Sequence, residues 1–197
     1  MSMLDSNHTY VELIESAENN SIEEQSAQLS ADLQYSRFEQ SKSQLCIQKT
    51  QLTESLKWVD YTNSHDNIYY ENNETHALSL YLAGGHETQR IDQNSGFGAP
   101  GRFCLLPQGA ASQWQLGAPQ HFVHLYFDDN YLKQLALQVF DIDPRTIQIP
   151  ELNLTEDALL ENLVRSSVMT ADWSFQQDSM LMKQVTDTIL VSMLQRM

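Results

Sequence analysis

Basic side chains are scarce in this sequence of 197 residues, which has 11 Lys and Arg against 26 Asp and Glu and a formal net charge of −15. A protein surface that binds the phosphate backbone of nucleic acid needs a basic face. The charge balance therefore argues against direct nucleic-acid binding by this chain. The length allows one domain with a hydrophobic core, together with an appended segment.

Cysteine, long apolar runs and catalytic motifs are also missing or rare. Cys46 and Cys104 are the only cysteines, and because their spacing matches no zinc or redox motif we expect two small buried side chains. No run approaches the roughly 20 apolar residues of a membrane span, and no secretory signal is visible, so we expect a cytoplasmic protein without membrane contacts. No nucleophile elbow, phosphate loop or zinc-protease helix occurs. We therefore expect neither enzyme activity nor a cofactor.

Residues 1–43 are polar and acidic. Tyr10, Leu13, Ile14 and Ala17 recur at helical spacing and predict a short amphipathic helix. The segment 21–24 has the form of a capping box and predicts the start of a second helix. Two interpretations stay open: a solvated leader, or an arm that packs on the rest of the protein when a ligand is bound.

Residues 44–128 contain short apolar and aromatic segments separated by Gly, Pro and Asn turns. This pattern is typical of an all-β barrel or sandwich, and we predict a barrel. The predicted strands are 45–47, 56–61, 67–70, 76–83, 87–92, 102–106, 112–116 and 121–127.

Residues 129–197 change to helical periodicity. One predicted helix begins at Asp129–Asn130 and ends near Phe140, a second is capped at 155–157, and a third covers 178–197. The last two carry apolar stripes at spacings of three and four. They either only cover the barrel or also pair two subunits, and we expect a homodimer.

Gly101, Pro107, Gly109 and Ser112 have the spacing of the second conserved motif of the cupin barrels, which the sequence resembles here. In metal-binding cupins the position of Ser112 is a histidine ligand, and a first motif supplies a His-x-His pair and a glutamate. The corresponding positions in this chain, within 70–78, hold none of these ligands. The resemblance implies a cupin barrel that has lost its metal site.

From His76 to Phe127, and again at 178–197, the sequence resembles the effector-binding domain of AraC-type transcription regulators. The resemblance covers roughly residues 45–197. It implies a cupin-like barrel followed by C-terminal helices, which binds a small organic effector and dimerises. The DNA-binding helix-turn-helix domain of that family follows the position where this sequence ends, so DNA contact is expected only through that missing domain. Whether the chain is cut at a domain boundary or is a natural single domain stays open.

The alternation of side chains along strands and the family register predict which residues face into the barrel. In arabinose-type regulators the positions of Trp114, Phe122 and His124 contact the sugar, whereas Ala83 stands where those proteins have an arginine, which argues against arabinose. Each candidate also has an ordinary alternative as a core residue. Arg90 and Arg102 are expected to pair with surface carboxylates or with an anionic effector. The predicted ligand-binding residues are Ser79, Tyr81, Ser112, Trp114, Phe122, His124 and Tyr126.

Two alternatives from other functional classes stay open. The first is a cupin metalloenzyme, an isomerase or dioxygenase with His76, His86 and His124 as unusual ligands. His121 and His124 do not form a metal pair, since residues three apart on a strand face opposite sides. The second alternative is a pure dimerisation module with a filled barrel.

Overall fold

The computed structural model divides the chain into two units, Met1–Phe38 and Glu39–Met197. It describes residues 43–71 and 74–196, all within the second unit. The helices predicted within residues 1–42 lie outside the described residues.

The described chain forms strands first and helices afterwards, as the change of periodicity predicts. The strands are β1 (Leu45–Thr53), β2 (Leu56–Asn63), β3 (Asp66–Glu71), β4 (His76–Ala83), β5 (Thr88–Arg90), β6 (Arg102–Leu106), β7 (Ala111–Leu116), β8 (Gln120–Phe127) and β9 (Leu152–Glu156). The helices are α1 (Asp129–Phe140), α2 (Ala158–Leu163) and α3 (Gln176–Leu194), with a short 3-10 turn at Pro144–Thr146 and a π-helical turn at Val164–Val168 after α2.

The strands form two antiparallel sheets. The larger sheet has six strands in the order β1-β2-β8-β4-β6-β9, and the smaller has three in the order β3-β7-β5. Strand β4 is followed by Gly84, whose backbone has a φ of +71°, a conformation that residues other than glycine rarely adopt. A Cβ at this position would also collide with the carbonyl oxygen of Pro119.

The main hydrophobic core lies between the larger sheet and the helices. Because successive side chains alternate between the faces of a strand, the apolar residues at alternate positions of β2, β4 and β8 enter this core. On the sheet side it includes Leu56, Trp58, Leu78, Leu80, Val123, Leu125 and Phe127, and on the helix side Leu132, Ala136, Leu160, Val164, Met182, Ile189 and Leu190. Each of these side chains is at most 4% exposed.

Strand β9 was not predicted: residues 155 and 156 were assigned to a helix cap, and residues 152–154 to no element. It pairs with β6, with Phe103 opposite Thr155 and Leu105 opposite Leu152. The predicted cap after it is present: the Asp157 carboxylate accepts hydrogen bonds from two backbone N–H groups at the start of α2.

Three further details differ from the sequence-based expectation. Helix α1 has Asp128 as its N-cap, without a capping hydrogen bond from its side chain. Cys46, expected to be buried, is exposed on the edge strand β1, whereas Cys104 is buried as expected. Ala83, expected to face into the barrel, is exposed because an irregularity after Tyr81 shifts its pairing to His121.

We predict that one buried hydrogen bond between the sheet and α3 stabilises this core. Trp58 Nε1 donates to Thr186 Oγ1 at 2.8 Å, and both side chains are at most 1% exposed. The change Thr186→Val leaves that N–H buried and unpaired, which we expect to lower the free energy of unfolding by about 1–3 kcal/mol, measured by urea denaturation.

Thr188→Val is the matched control. Both threonine hydroxyls donate to a carbonyl one turn earlier in α3, but Thr188 is exposed. Equal losses of stability for the two variants would contradict the role given to the Trp58 hydrogen bond.

Candidate functional site

The candidate site is the space between the two sheets, on the opposite side of the larger sheet from the helices. On β2, β4 and β8, the residues between those of the hydrophobic core point to the other face of the sheet and face this space. The inner face of the smaller sheet lies across from them. We refer to this set as the barrel interior. From the larger sheet it contains Tyr61, Asn63, Ser79, Tyr81, Gln120, Phe122, His124 and Tyr126, together with the apolar Val59, Ala77, Cys104 and Leu106. From the smaller sheet it contains Ile68, Tyr70, Thr88, Arg90, Ser112, Trp114 and Leu116.

Strand register arranges the interior side of the larger sheet in successive layers. Tyr61 lies opposite Phe122 on β8, and Phe122 lies opposite Tyr81 on β4. The next layer along the strands pairs His124 with Ser79. Tyr126 follows one layer further on, and the layer of Gln120 lies at the other end.

Aromatic rings pack closely within and between these layers. The Tyr61 and Phe122 rings are stacked with their centroids 5.6 Å apart, and the Phe122 and His124 centroids are 5.1 Å apart. The Tyr81 ring lies 6.1 Å from that of Phe122. Such aromatic pairs stabilise a core beyond their buried area.

A network of hydroxyl groups crosses the interior and joins the two sheets. His124 Nδ1 lies 2.8 Å from the Tyr126 hydroxyl. Tyr126 also hydrogen-bonds with Tyr61 on β2 and with Tyr70 on the smaller sheet. Burial raises the pKa of Tyr70, Tyr81 and Tyr126, so all three phenols stay protonated at neutral pH.

His124 is uncharged in this environment. Burial lowers its pKa to about 3, because a low-dielectric interior disfavours the imidazolium form. The imidazole is 4% exposed. It therefore serves as a neutral hydrogen-bonding group and not as a cation.

The smaller sheet contributes an aromatic surface held by a buried serine. Trp114 Nε1 donates to Ser112 Oγ at 2.9 Å, and Ser112 is 1% exposed. Ser112 lies opposite Tyr70 across the strand pair. Trp114 is only partly buried, and this hydrogen bond holds its indole at one edge.

The one arginine of the barrel interior is fully neutralised by carboxylates. Arg90 is 1% exposed and forms ion pairs with Asp92 and with Glu151, the residue before β9. It also donates to the Ala111 carbonyl oxygen. The expected pairing with surface carboxylates is present: the Arg90 side chain is buried, and both carboxylate residues are exposed. Arg102 pairs with Glu156 on the exposed side.

All seven predicted site residues occupy interior-facing strand positions. The structure brings Tyr81, Phe122, His124 and Tyr126 into one aromatic group beside Ser79. Ser112 and Trp114 lie on the facing sheet. Sequence reasoning missed Tyr61 and Tyr70. Both lie within predicted strands, and the alternation of side chains along β2 and β3 could have identified them.

The histidines of the metalloenzyme alternative are not brought together. His76 faces the helices, where its Nε2 lies 3.4 Å from Asp129 Oδ1 and its Nδ1 accepts from the Gln108 backbone N–H. His86 is exposed in the turn after β4. Within the described ranges no three His, Cys, Asp or Glu side chains are grouped to hold a metal. The residues present therefore do not fit the metal of the cupin family.

Neither a family model nor a curated protein matches the sequence. Among solved structures, the chain is similar to the EutQ protein of Clostridium difficile, with 15% identity, a TM-score of 0.35, and coverage of 43% of this chain and 66% of that one. It is similar to an RmlC-like cupin with a double-stranded β-helix fold from Methanocaldococcus jannaschii, with 13% identity, a TM-score of 0.36, and coverage of 44% and 82%. The AraC-like transcriptional activator CuxR gives 10% identity, a TM-score of 0.45, and coverage of 70% and 52%.

These similarities concern the fold alone. Less than two thirds of EutQ and about half of CuxR are matched. The predicted fold class is confirmed by the structure in its architecture: the described chain is mainly β, with two antiparallel sheets followed by C-terminal helices. Across the described ranges no helix has the length and apolarity needed to cross a membrane.

We predict a specific pH dependence of stability from His124. Its pKa of about 3 in the folded protein lies below its ordinary value of 6.5, so between these pH values the unfolded chain binds a proton that the folded chain does not. The contribution of His124 to stability is therefore present above pH 6.5 and is lost as the pH falls. We expect it to lower the free energy of unfolding by about 2 kcal/mol between pH 7 and pH 5.

Urea denaturation of His124→Gln at both pH values tests this expectation, since the variant should lose most of that difference. Phe122→Leu is the control, because it alters a neighbouring interior ring without removing a titrating group. An unchanged pH dependence in His124→Gln would contradict the assigned burial of a neutral imidazole.

Proposed function

We propose that this domain binds a small, uncharged organic effector in the barrel interior and acts as the sensing part of an AraC-type transcription regulator. One observation carries the proposal: the central strands β2, β4 and β8 are buried on both faces, and buried polar side chains stand among the apolar ones on the interior face. Leu78, Leu80 and Leu125 face the helices, whereas Ser79, Tyr81 and His124 alternate with them and face the interior.

The polar interior is difficult to explain as a device for stability. Burying hydroxyl and imidazole groups costs free energy that their hydrogen bonds only offset. Proteins depart from a well-packed apolar core chiefly at functional sites, and ligand sites are concave, aromatic and fitted with a few convergent polar groups. The interior set of Tyr61, Tyr126, His124 and Trp114 has this composition.

The electrostatics of the interior favour an uncharged ligand. His124 is neutral, and Arg90 is already paired with Asp92 and Glu151. A charged effector would lose its hydration without gaining a free partner, which is strongly unfavourable. Hydroxyl groups of the ligand can instead exchange hydrogen bonds with the tyrosines, and a ring can stack on Trp114.

The same strands provide a mechanical connection to the helices. On β8, His124 and Tyr126 face the interior, while Leu125 between them belongs to the core beneath the helices. An effector shifts the domain between arrangements only if it binds one of them more tightly. Contacts on the interior face of β8 are therefore placed to bias how the helical layer packs.

The helical layer is also the proposed dimerisation surface. Phe175, Met180 and Leu181, at the start of α3, are between 49% and 67% exposed. In the proposed parent protein a homodimer of this domain presents two DNA-binding domains. The sequence resemblance over residues 45–197 and the order of barrel and helices support this assignment.

A thermal-shift screen with neutral sugars, phenols, amides and lactones tests the proposed function. A ligand at about a hundred times its dissociation constant adds about 2.7 kcal/mol to stability and raises the melting temperature by a few degrees. We expect at least one neutral compound to do so, and we expect Trp114→Ala to abolish the shift while remaining folded.

Tyr69→Ala is the matched control for this test. Tyr69 lies on the opposite face of the smaller sheet and is 57% exposed, so its removal should preserve the shift. No shift with any compound, combined with a concentration-independent dimer in analytical ultracentrifugation, would contradict the sensor and favour a dimerisation module.

A further inference from the structure

The end of β4 is irregular directly after the interior residue Tyr81. Strand β8 pairs with Tyr81 and then with Ala83, and passes over Leu82. The pairing of β4 with β6 has already ended at Leu80. The register thus leaves Leu82 without a partner residue in either neighbouring strand. Irregularities of this kind are over-represented next to functional sites.

Arg165 joins Leu82 to the helical layer. Its Nη2 donates to the Leu82 carbonyl oxygen at 2.9 Å, and its Nε donates to Glu161 Oε1 at 2.8 Å. Arg165 belongs to the π-helical turn Val164–Val168, which directly follows α2. Single π-helical turns occur frequently at functional sites. One guanidinium group therefore links the irregular end of β4 to this turn.

Gly101 reaches the same group of residues from β6. Its N–H donates to the Tyr81 carbonyl oxygen at 2.9 Å, and its φ is +86°. A Cβ at this position would lie 2.6 Å from a Glu161 carboxylate oxygen, so the absence of a side chain lets this carboxylate approach the backbone. These five residues form a continuous set of contacts, which we call the latch: Tyr81, Leu82, Gly101, Glu161 and Arg165.

The latch has one end in the barrel interior and the other in the main core. The Tyr81 side chain is 5% exposed, and its ring lies 6.1 Å from the Phe122 ring. At the other end Val164 and Val168 are fully buried in the core, and their turn packs against α3. Direct contacts thus lead from an interior ring to the helix that carries the proposed dimerisation surface.

We propose that the latch couples occupancy of the barrel interior to the packing of α3. This inference rests on the proposed function, since it concerns the regulation of the same interior. The turn has two discrete hydrogen-bonding states. In the π-helical state the Met169 N–H donates to the Val164 carbonyl oxygen, whereas in an α-helical state it would donate to that of Arg165. A ligand that moves Tyr81 also moves the adjoining Leu82 carbonyl, and through Arg165 it favours one state over the other.

Hydrogen exchange of the Met169 amide, measured by NMR on the full chain, tests the proposal without an effector. The rate is taken relative to that of the Leu125 amide in β8, which corrects for a change in global stability. Tyr81→Leu alters the ring that a ligand would contact, and we expect it to raise the relative rate at least tenfold. In an Arg165→Gln background the same change should raise it less than twofold.

Two matched controls accompany this experiment. Trp114→Leu alters an interior ring outside the latch, and Arg145→Gln removes an exposed arginine that is paired with Asp143. Trp114→Leu should change the relative rate less than twofold, and Arg145→Gln should preserve the full effect of Tyr81→Leu. If Tyr81→Leu does not fold, Tyr81→Phe provides the same comparison, with an expected change of at least threefold.

Equal effects of the Tyr81 change with and without Arg165 would overturn the proposal. An effect of Trp114→Leu as large as that of Tyr81→Leu would overturn it as well. The result is independent of the effector screen: coupling in a protein that binds no effector would contradict the sensor alone, whereas effector binding without coupling would contradict the latch alone.

Discussion

The central strands β2, β4 and β8 of the six-stranded sheet must bury both of their faces, and most of the structure depends on this constraint. Alternation along β2, β4 and β8 assigns each residue either to the apolar layer under the helices or to the barrel interior. The apolar layer, with Trp58, Leu125 and Leu132 fully buried, supplies the main hydrophobic stabilisation. This leaves the interior face free to carry polar groups.

The interior uses that freedom in a consistent way. Its phenols are held in their protonated form and His124 in its neutral form by burial, and its arginine is neutralised by two carboxylates. Tyr126 connects the two sheets through Tyr70 and also hydrogen-bonds with Tyr61 on its own sheet. The result is an interior rich in hydrogen-bonding groups but without a free charge.

The sequence could predict the parts of this structure that local chemistry determines. Glycine and proline turns delimit β4, β6 and β8, and the helical stripe of α3 is visible in its spacing. Strand β9 could not be predicted, because it is stabilised by pairing with β6, about fifty residues away, and not by its own pattern. Ala83 is exposed because the strand register shifts after Tyr81. Cys46 is exposed because it lies on the edge strand β1. The tyrosine network depends on contacts between sheets, so alternation could indicate the direction of Tyr61 and Tyr70 but not their partners.

The most direct test of this account is the stability of a variant in which the hydroxyl network is replaced as a unit: Tyr61→Phe, Tyr70→Phe, Tyr126→Phe and His124→Leu. Removing all partners together leaves few unpaired groups, and apolar replacement of a buried polar network is often neutral or stabilising. If the network exists for ligand binding, urea denaturation should show a variant at least as stable as the unaltered protein, and one that no longer responds to the effector. A loss of several kcal/mol would show that the network is a structural requirement of the barrel and would contradict the account.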